Sequence, residues 1–187
     1  VKAITNVVGF DDAPFAHEHR GDVRIVGAVC CRTRLDGVLS GRVRRDGVNS
    51  TDALIELVGG SKFREHIRAV LLQGIALAGF NVVDVHRLHA ALGVPVIVAV
   101  RKQPRLAMVK DALFDRTPGA ARKWKLVEQA GPLEKLGALW VQRIGLPHED
   151  ALALLRATTL HGNIPEPLRL AHLIAGGVTT GQSRGRA

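Results

Sequence analysis

The run VPVIVAV at 94–100 restricts the fold of this chain more than any other stretch. Seven successive residues without a polar side chain cannot turn one face to water, so a strand here must be buried on both faces. That is the environment of a parallel strand inside an α/β sheet. IRAVLL at 67–72 reads as a second such strand, and the segment between them reads as a helix. Asn81 and Asp84 stand at capping spacing, VVDVHRLHAAL carries the helix, and Gly93 stops it before Val94-Pro95.

Upstream, the pattern changes to hairpins. AITNVVGF at 3–10 is expected to be a strand ending at Asp11 and Asp12, and DVRIVGAVCCR at 22–32 a second one. Asp36-Gly37 lies between two β-prone runs and signals a hairpin turn, with a third strand over Val38–Arg45. Asn49 and Asp52 are spaced as N-cap and N3 of a helix through ALIELV. Downstream, 101–125 reads as helix and loop, ALWVQRIGL at 138–146 as a sixth strand, and 148–160 as a helix. A last helix is expected to enter at Pro165 and Pro167 and to end at Gly176-Gly177, ahead of a frayed tail TTGQSRGRA. The expectation is a mixed α/β sheet in a single domain, 1–178, with a flexible tail over 179–187.

The sheet has one conspicuous position. In LLQGIALAGFNVVD (71–84), Leu71 and Leu72 end a buried strand, while Gly74, Gly79 and Asn81 mark a turn toward the next helix. The C-terminal end of a strand facing such a turn is where α/β proteins place chemistry. Gln73 stands there, an amide without charge.

Composition and charge narrow the function classes. With 187 residues, 47% hydrophobic and 23% charged, the chain can bury a substantial core. No apolar run reaches the roughly 20 residues of a membrane helix, and VKAITNVVGFDDAPF lacks a signal-peptide pattern. Adjacent Cys30 and Cys31 alternate across a strand and read as small hydrophobes in a reducing cytoplasm. The net charge of +9 is uneven: residues 1–60 hold eight basic and eight acidic residues, so the excess lies beyond them. Within 101–125, Arg101, Lys102, Arg105, Lys110, Arg116, Arg122, Lys123 and Lys125 face only Asp111 and Asp115. Such a field attracts phosphate polyanions; a solvated basic helix face is the plainer account. The absence of Tyr and the 4% of aromatics argue against a base-stacking platform. Neither a GxxxxGK[ST] loop nor a GxGxxG turn occurs, which disfavours an enzyme of small phosphorylated metabolites.

Three hairpin-linked strands followed by helix–strand–helix–strand is the element order of the ribonuclease H-like fold. GFDDAPF at 9–15, RRDG at 44–47, GFNVVD at 79–84, VPVIVAVRKQP at 94–104 and IPEPLRLAHLIA at 164–175 together resemble the endonuclease dU family, a relative of endonuclease V. The matches run in order over nearly the whole chain. The resemblance implies an endonuclease V-like fold and a Mg²⁺- or Mn²⁺-dependent nuclease cutting a phosphodiester near a deaminated base such as deoxyuridine or inosine, with nucleic acid, DNA first, as partner. It places Asp11 at the first metal-binding aspartate, Gln73 where the family motif has Asp, and His172 near the C-terminal site residue. The hairpin carboxylate is either Asp46 or Asp52.

These residue types suit the chemistry, because Mg²⁺ takes oxygen ligands and a pair of ions about 4 Å apart needs several converging negative charges. Gln73 can offer a carbonyl oxygen but no charge. The same fold with this substitution could therefore serve as a non-catalytic nucleic-acid-binding protein. Each candidate also has a plain structural account. Asp11-Asp12 and Asp46 could simply be turn residues. Asp52 and Asp84 could stabilise helix N-termini. His172, one turn from Arg169, could be a surface histidine or a ligand or proton donor. His17-Glu18-His19 reads as a solvated loop. The candidate set is Asp11, Asp12, Asp46, Gln73, Asp84 and His172 for catalysis and Asp11, Asp46 and Asp52 for metal. For the nucleic-acid backbone it is Arg101, Lys102, Arg105, Arg122, Lys123, Lys125 and Arg169.

Overall fold

The computed structural model describes residues 4–184. Nine strands and six helices are assigned in them: β1 (Asn6–Asp12), β2 (Asp22–Cys31), β3 (Arg34–Arg44), α1 (Ser50–Gly59), β4 (Ala69–Gln73), β5 (Ala76–Leu77), β6 (Asn81–Val82), α2 (Val85–Leu92), β7 (Val96–Val100), α3 (Leu106–Arg116), α4 (Ala120–Gln129), β8 (Glu134–Leu136), β9 (Leu139–Ile144), α5 (His148–Thr158) and α6 (Glu166–Thr180). Seven strands form one sheet in the order β3-β2-β1-β4-β7-β9-β8, and β5 and β6 pair as a separate hairpin. The sheet is mixed: β1, β2 and β3 pair antiparallel, β1–β4 and β4–β7 run parallel, and β9 joins β7 antiparallel. The two apolar runs thus become central strands, β4 and β7, as two-sided burial requires.

Alternation along β1 divides the core between the two faces of the sheet. Val8 and Phe10 join Val70, Leu72, Val96 and Val98 in packing with Leu54 and Val58 of α1 and Leu88 and Leu92 of α2. Val7 lies on the other face with Leu71 and Ile97, under Leu154 and Leu155 of α5 and Leu168 of α6. Gly9 shares that face, and a Cβ there would lie 2.5 Å from the Pro167 carbonyl carbon. Only a glycine lets the start of α6 approach β1 this closely.

Several expectations are corrected. The predicted start of the first strand at residue 3 lies outside the described residues, and β1 runs on through Asp11 and Asp12. The β2–β3 turn falls at Arg32-Thr33, with Arg32 at φ 56°, and a register shift precedes it at Val29/Cys30. Asp36-Gly37 lies inside β3, where Gly37 leaves room for the Phe63 ring. Asn49 stands at the N-cap of α1 without capping it. Its side chain instead accepts from the Arg44 amide (3.0 Å) and from Asn81 Nδ2 (2.8 Å). Asn81 belongs to β6 and accepts the Ser50 amide at 3.0 Å, so it serves the neighbouring helix rather than its own. Residues 76–82 form a hairpin in place of a simple turn, and β8 was not legible. α6 continues through Gly176-Gly177 to Gly181 at φ 83°. The chain returns over this part of the helix, where Ser183 Oγ donates to the Leu173 carbonyl at 2.7 Å. Residues 185–187 of the expected tail lie outside the described residues.

Candidate active site

Asp11 and Asp12 close β1, so their side chains leave opposite faces of the sheet. Asp11 projects toward α6, and the tight Gly9–Pro167 approach fixes where that helix delivers His172. The His172 Nδ1 is 2.8 Å from Asp11 Oδ2, while Asp11 Oδ1 accepts the Asp12 amide at 2.9 Å. Asp12 projects to the other face, where its Oδ2 accepts the Ala78 amide of the β5–β6 hairpin. At the strand end both carboxylates still reach one open cleft of about 710 Å³, with Gln73, His172, Phe15 and Arg184 also in its walls.

Gln73 is placed by register. The pair Phe10–Leu72 is the last of the parallel β1–β4 ladder, so the next residue of each strand, Asp11 and Gln73, lie side by side on one face. The Gln73 Oε1 is buried and has no hydrogen-bond partner among the described residues. A buried amide oxygen without a donor is unusual in a folded protein and costs stability.

Burial, and next the neighbouring Asp12 carboxylate, push Asp11 up to about 6, against the opposing hydrogen bond from His172. Asp12 is also raised, chiefly by burial. Two desolvated carboxyl groups beside an unsatisfied oxygen make a site that favours a positive charge. All three donors are oxygens, the chemistry that a hard divalent cation selects.

The remaining candidates lie elsewhere. Asp46, at φ 53°, accepts the Phe80 amide at 2.8 Å and faces Arg45 Nε at 3.2 Å, in the wall of a different cleft. Asp52 pairs with Arg87 on the surface between α1 and α2. Asp84 is the N-cap of α2, accepting the Arg87 amide at 3.0 Å. Neither Asp46 nor Asp52, the alternatives expected as the second ligand beside Asp11, lines the Asp11 cleft. Among the described residues no three His, Cys, Asp or Glu side chains gather as a metal site. The physical reason is that Asp46 and Asp52 are committed to backbone amides and arginines.

The basic candidates divide likewise. Arg101, Lys102, Arg105, Arg122 and Lys125 are exposed. Lys123 is 2% exposed and donates to the Asp46 carbonyl, and burial lowers its pKa. It is a structural cation. Arg169 is held by buried Glu166 at 2.7 and 2.8 Å. The residues of the cleft outside the expected site include Phe15, Thr180 and Arg184. Phe15 was within reach, since it belongs to the GFDDAPF motif. Thr180 and Arg184 arrive only through the extension of α6 and the return of its tail.

The strand order is that of a ribonuclease H-like fold of the endonuclease V kind. Within that class the chain belongs to the Endonuclease dU family, which matches residues 3–179. A UPF0215 protein of Deinococcus radiodurans is 57% identical over 98% of this chain and 93% of its own length. A UPF0215 protein of Methanothermobacter thermautotrophicus is 41% identical over 100% of this chain and 94% of its own. A crystal structure of a protein of unknown function from Archaeoglobus fulgidus superposes with a TM-score of 0.88, at 34% identity, covering 95% of this chain and 99% of that one. Ciona intestinalis endonuclease V, in complex with DNA containing an inosine, shares the fold at TM-score 0.56 and 14% identity, over 89% of this chain and 82% of that one. No helix of the described residues is long and apolar enough to cross a membrane.

Proposed function

We propose that this chain is a metal-dependent endonuclease that cuts nucleic acid, with deaminated DNA as its preferred substrate, in the cleft of Asp11, Asp12, Gln73 and His172. The observation that carries the reading is the buried Asp11 carboxyl, 2.8 Å from His172 Nδ1 and beside the unpartnered Gln73 Oε1. The choice of deaminated DNA leans on the likeness to endonuclease V, whose Ciona structure holds inosine-containing DNA. Asp11, Asp12 and the Gln73 carbonyl oxygen would hold one Mg²⁺ or Mn²⁺. Such an ion, when bound, supplies charge against the phosphoryl oxygens and lowers the pKa of water.

The protein's own groups have separable tasks. Asp11, when ionised, accepts the His172 Nδ1 proton and so fixes the ring and its tautomer. The Nε2 edge is then left to hold or pass a proton at an oxygen of the scissile phosphate. Phe15 and Arg184 also line the cleft, Arg184 adding a cation to it.

The rival reading, a binding protein without catalysis, is favoured by one feature: Gln73 supplies no charge where the family motif has Asp. Nicking assays with Mg²⁺ and Mn²⁺ on deoxyuridine-, inosine-containing and intact duplexes separate the two. The nuclease reading expects metal-dependent nicking that is lost in Asp11→Asn. Wild-type protein that binds these duplexes yet never nicks them, with either ion, supports the binding protein instead.

A further inference from the structure

A second cleft, of about 730 Å³, opens beyond the loop that follows β1, lined by His17, Arg20, Arg44, Arg45, Asp46 and Arg116 among others. Four guanidinium groups surround it and one carboxylate answers them. That carboxylate is already engaged, by the Phe80 amide and by Arg45. Arg45 is itself fixed: its Nη1 donates to the carbonyls of Ala16, His17 and His19, and its guanidinium lies 5.2 Å from the centroid of the Phe15 ring. Arg44 is 3.3 Å from Asp22. Among the described residues neither Arg20 nor Arg116 takes part in an ion pair, and both are exposed.

Like charges gathered around one open volume repel unless an anion shares it. Guanidinium groups, with donors in a planar fork, match the geometry of phosphate oxygens. Two residues behind its lining connect the cleft with the carboxylate site. Phe15 carries Arg45 on its ring and walls the Asp11 cleft. Ala78 gives its amide to Asp12 and its carbonyl to the Asp46 amide, so one residue joins both sites.

We propose that this arginine cleft is a phosphate-ester site, seating the sugar–phosphate backbone of a nucleic acid whose chain continues into the carboxylate cleft. The choice of nucleic acid as ligand rests on the reading of the carboxylate cleft given above. Of the basic segment 101–125 expected from the sequence to attract phosphate, only Arg116 lies in it; Arg20, Arg44 and Arg45 come from outside that segment.

The test is equilibrium binding in EDTA, where no cutting interferes, with an intact DNA duplex and with a nucleoside 5′-monophosphate as probes. Wild type is compared with Arg20→Ala/Arg116→Ala, with Arg116→Lys, and with Arg156→Ala on α5 as a control. Each lost phosphate contact lowers the log–log salt slope on duplex DNA by about 0.9. The double variant should therefore lose about 1.8 from its slope. Between 50 and 200 mM salt its affinity should fall about twelvefold less than the wild type's. Arg116→Lys should keep most of the slope. Dependence of duplex binding on Arg20 and Arg116 assigns the site to the backbone. Dependence of monophosphate binding alone assigns it to a free nucleotide. Binding of both probes unchanged in the double variant overturns the proposal. Wild type that never nicks but still binds duplex through these arginines leaves the cleft standing and removes the nuclease.

Discussion

Asp11 sits where a carboxylate is costly, 6% exposed and next to a second acid. Its pKa near 6 means that the folded protein holds a proton there which the unfolded chain has released above about pH 4. Unfolding then releases that proton, so this group's contribution falls as pH rises from about 4 to about 6 and stays low above that. Asp11→Asn keeps an acceptor for the Asp12 amide and a donor for His172, without the charge. Metal-free Asp11→Asn should therefore be more stable than wild type at pH 8, by about 1–3 kcal/mol or roughly 2–10 °C in Tm, and no more stable at pH 4. Thermal melts in EDTA at the two values check this; an equal difference at both would remove the proton linkage. Gln73 gives the complementary experiment. Gln73→Asp places a third carboxyl beside Asp11, so metal-free protein should lose stability while Mg²⁺ affinity and nicking of deoxyuridine- or inosine-containing DNA rise by about tenfold, some 1.4 kcal/mol. In the double variant with Asp11→Asn both gains should vanish, because ligands of one ion act as a unit. Destabilisation without any gain in ion binding would show that the position never served a metal.

At the scale of elements, the site depends on how closely α6 lies on β1. Gly9→Ala would drive a Cβ against the backbone of Pro167 and Leu168, at 2.5 and 2.7 Å, which neither rotamer change nor side-chain flexibility can relieve. The helix must shift, at a cost of about 1–3 kcal/mol. His172 moves with it, so nicking should fall more than duplex binding in EDTA. A variant destabilised but fully active would uncouple the helix position from the chemistry. This contact also explains what could be read from the sequence and what could not. VPVIVAV and IRAVLL identified β7 and β4 because two-sided burial leaves a mark on every residue. Asp11, Gln73 and His172 were legible through motifs that resemble a family, and β-register and the α6 approach bring them together. The β2–β3 turn was misread because Asp-Gly is a local signal, whereas Gly37 answers a distant demand, the Phe63 ring. Asn49 and Asn81 were misread likewise, since their amides are taken by each other and by Arg44 and Ser50 across the chain. Side-chain capping by sequence spacing competes with such partners, and here the tertiary partners won.

Across the whole molecule, the excess charge of +9 makes association with a polyanion favourable and salt-dependent, but the structure sorts which cations can contribute. Arg122 and Lys125 project from α4 into water, whereas Lys123, between them in sequence, turns inward to the Asp46 carbonyl. Counterion release counts only cations that reach phosphates, each contributing about 0.9 to the slope on duplex DNA. If α4 lies along the backbone, Arg122→Ala/Lys125→Ala should lower the slope by up to about 1.8 and weaken binding to all sequences alike, with stability unchanged. Lys123→Ala should do the reverse. It removes a buried donor from a carbonyl in the β3–α1 connection, so stability should fall by about 1–3 kcal/mol, while the salt slope holds. Salt titrations of duplex binding, paired with urea melts of each variant, measure both quantities. A flattened slope in Lys123→Ala at full stability would place that lysine at the phosphates instead. The α4 pair and the arginine cleft are separate patches, so if both touch one duplex their slope changes should add when the four substitutions are combined. A combined change no larger than that of either pair would mean that only one of the two surfaces meets the nucleic acid.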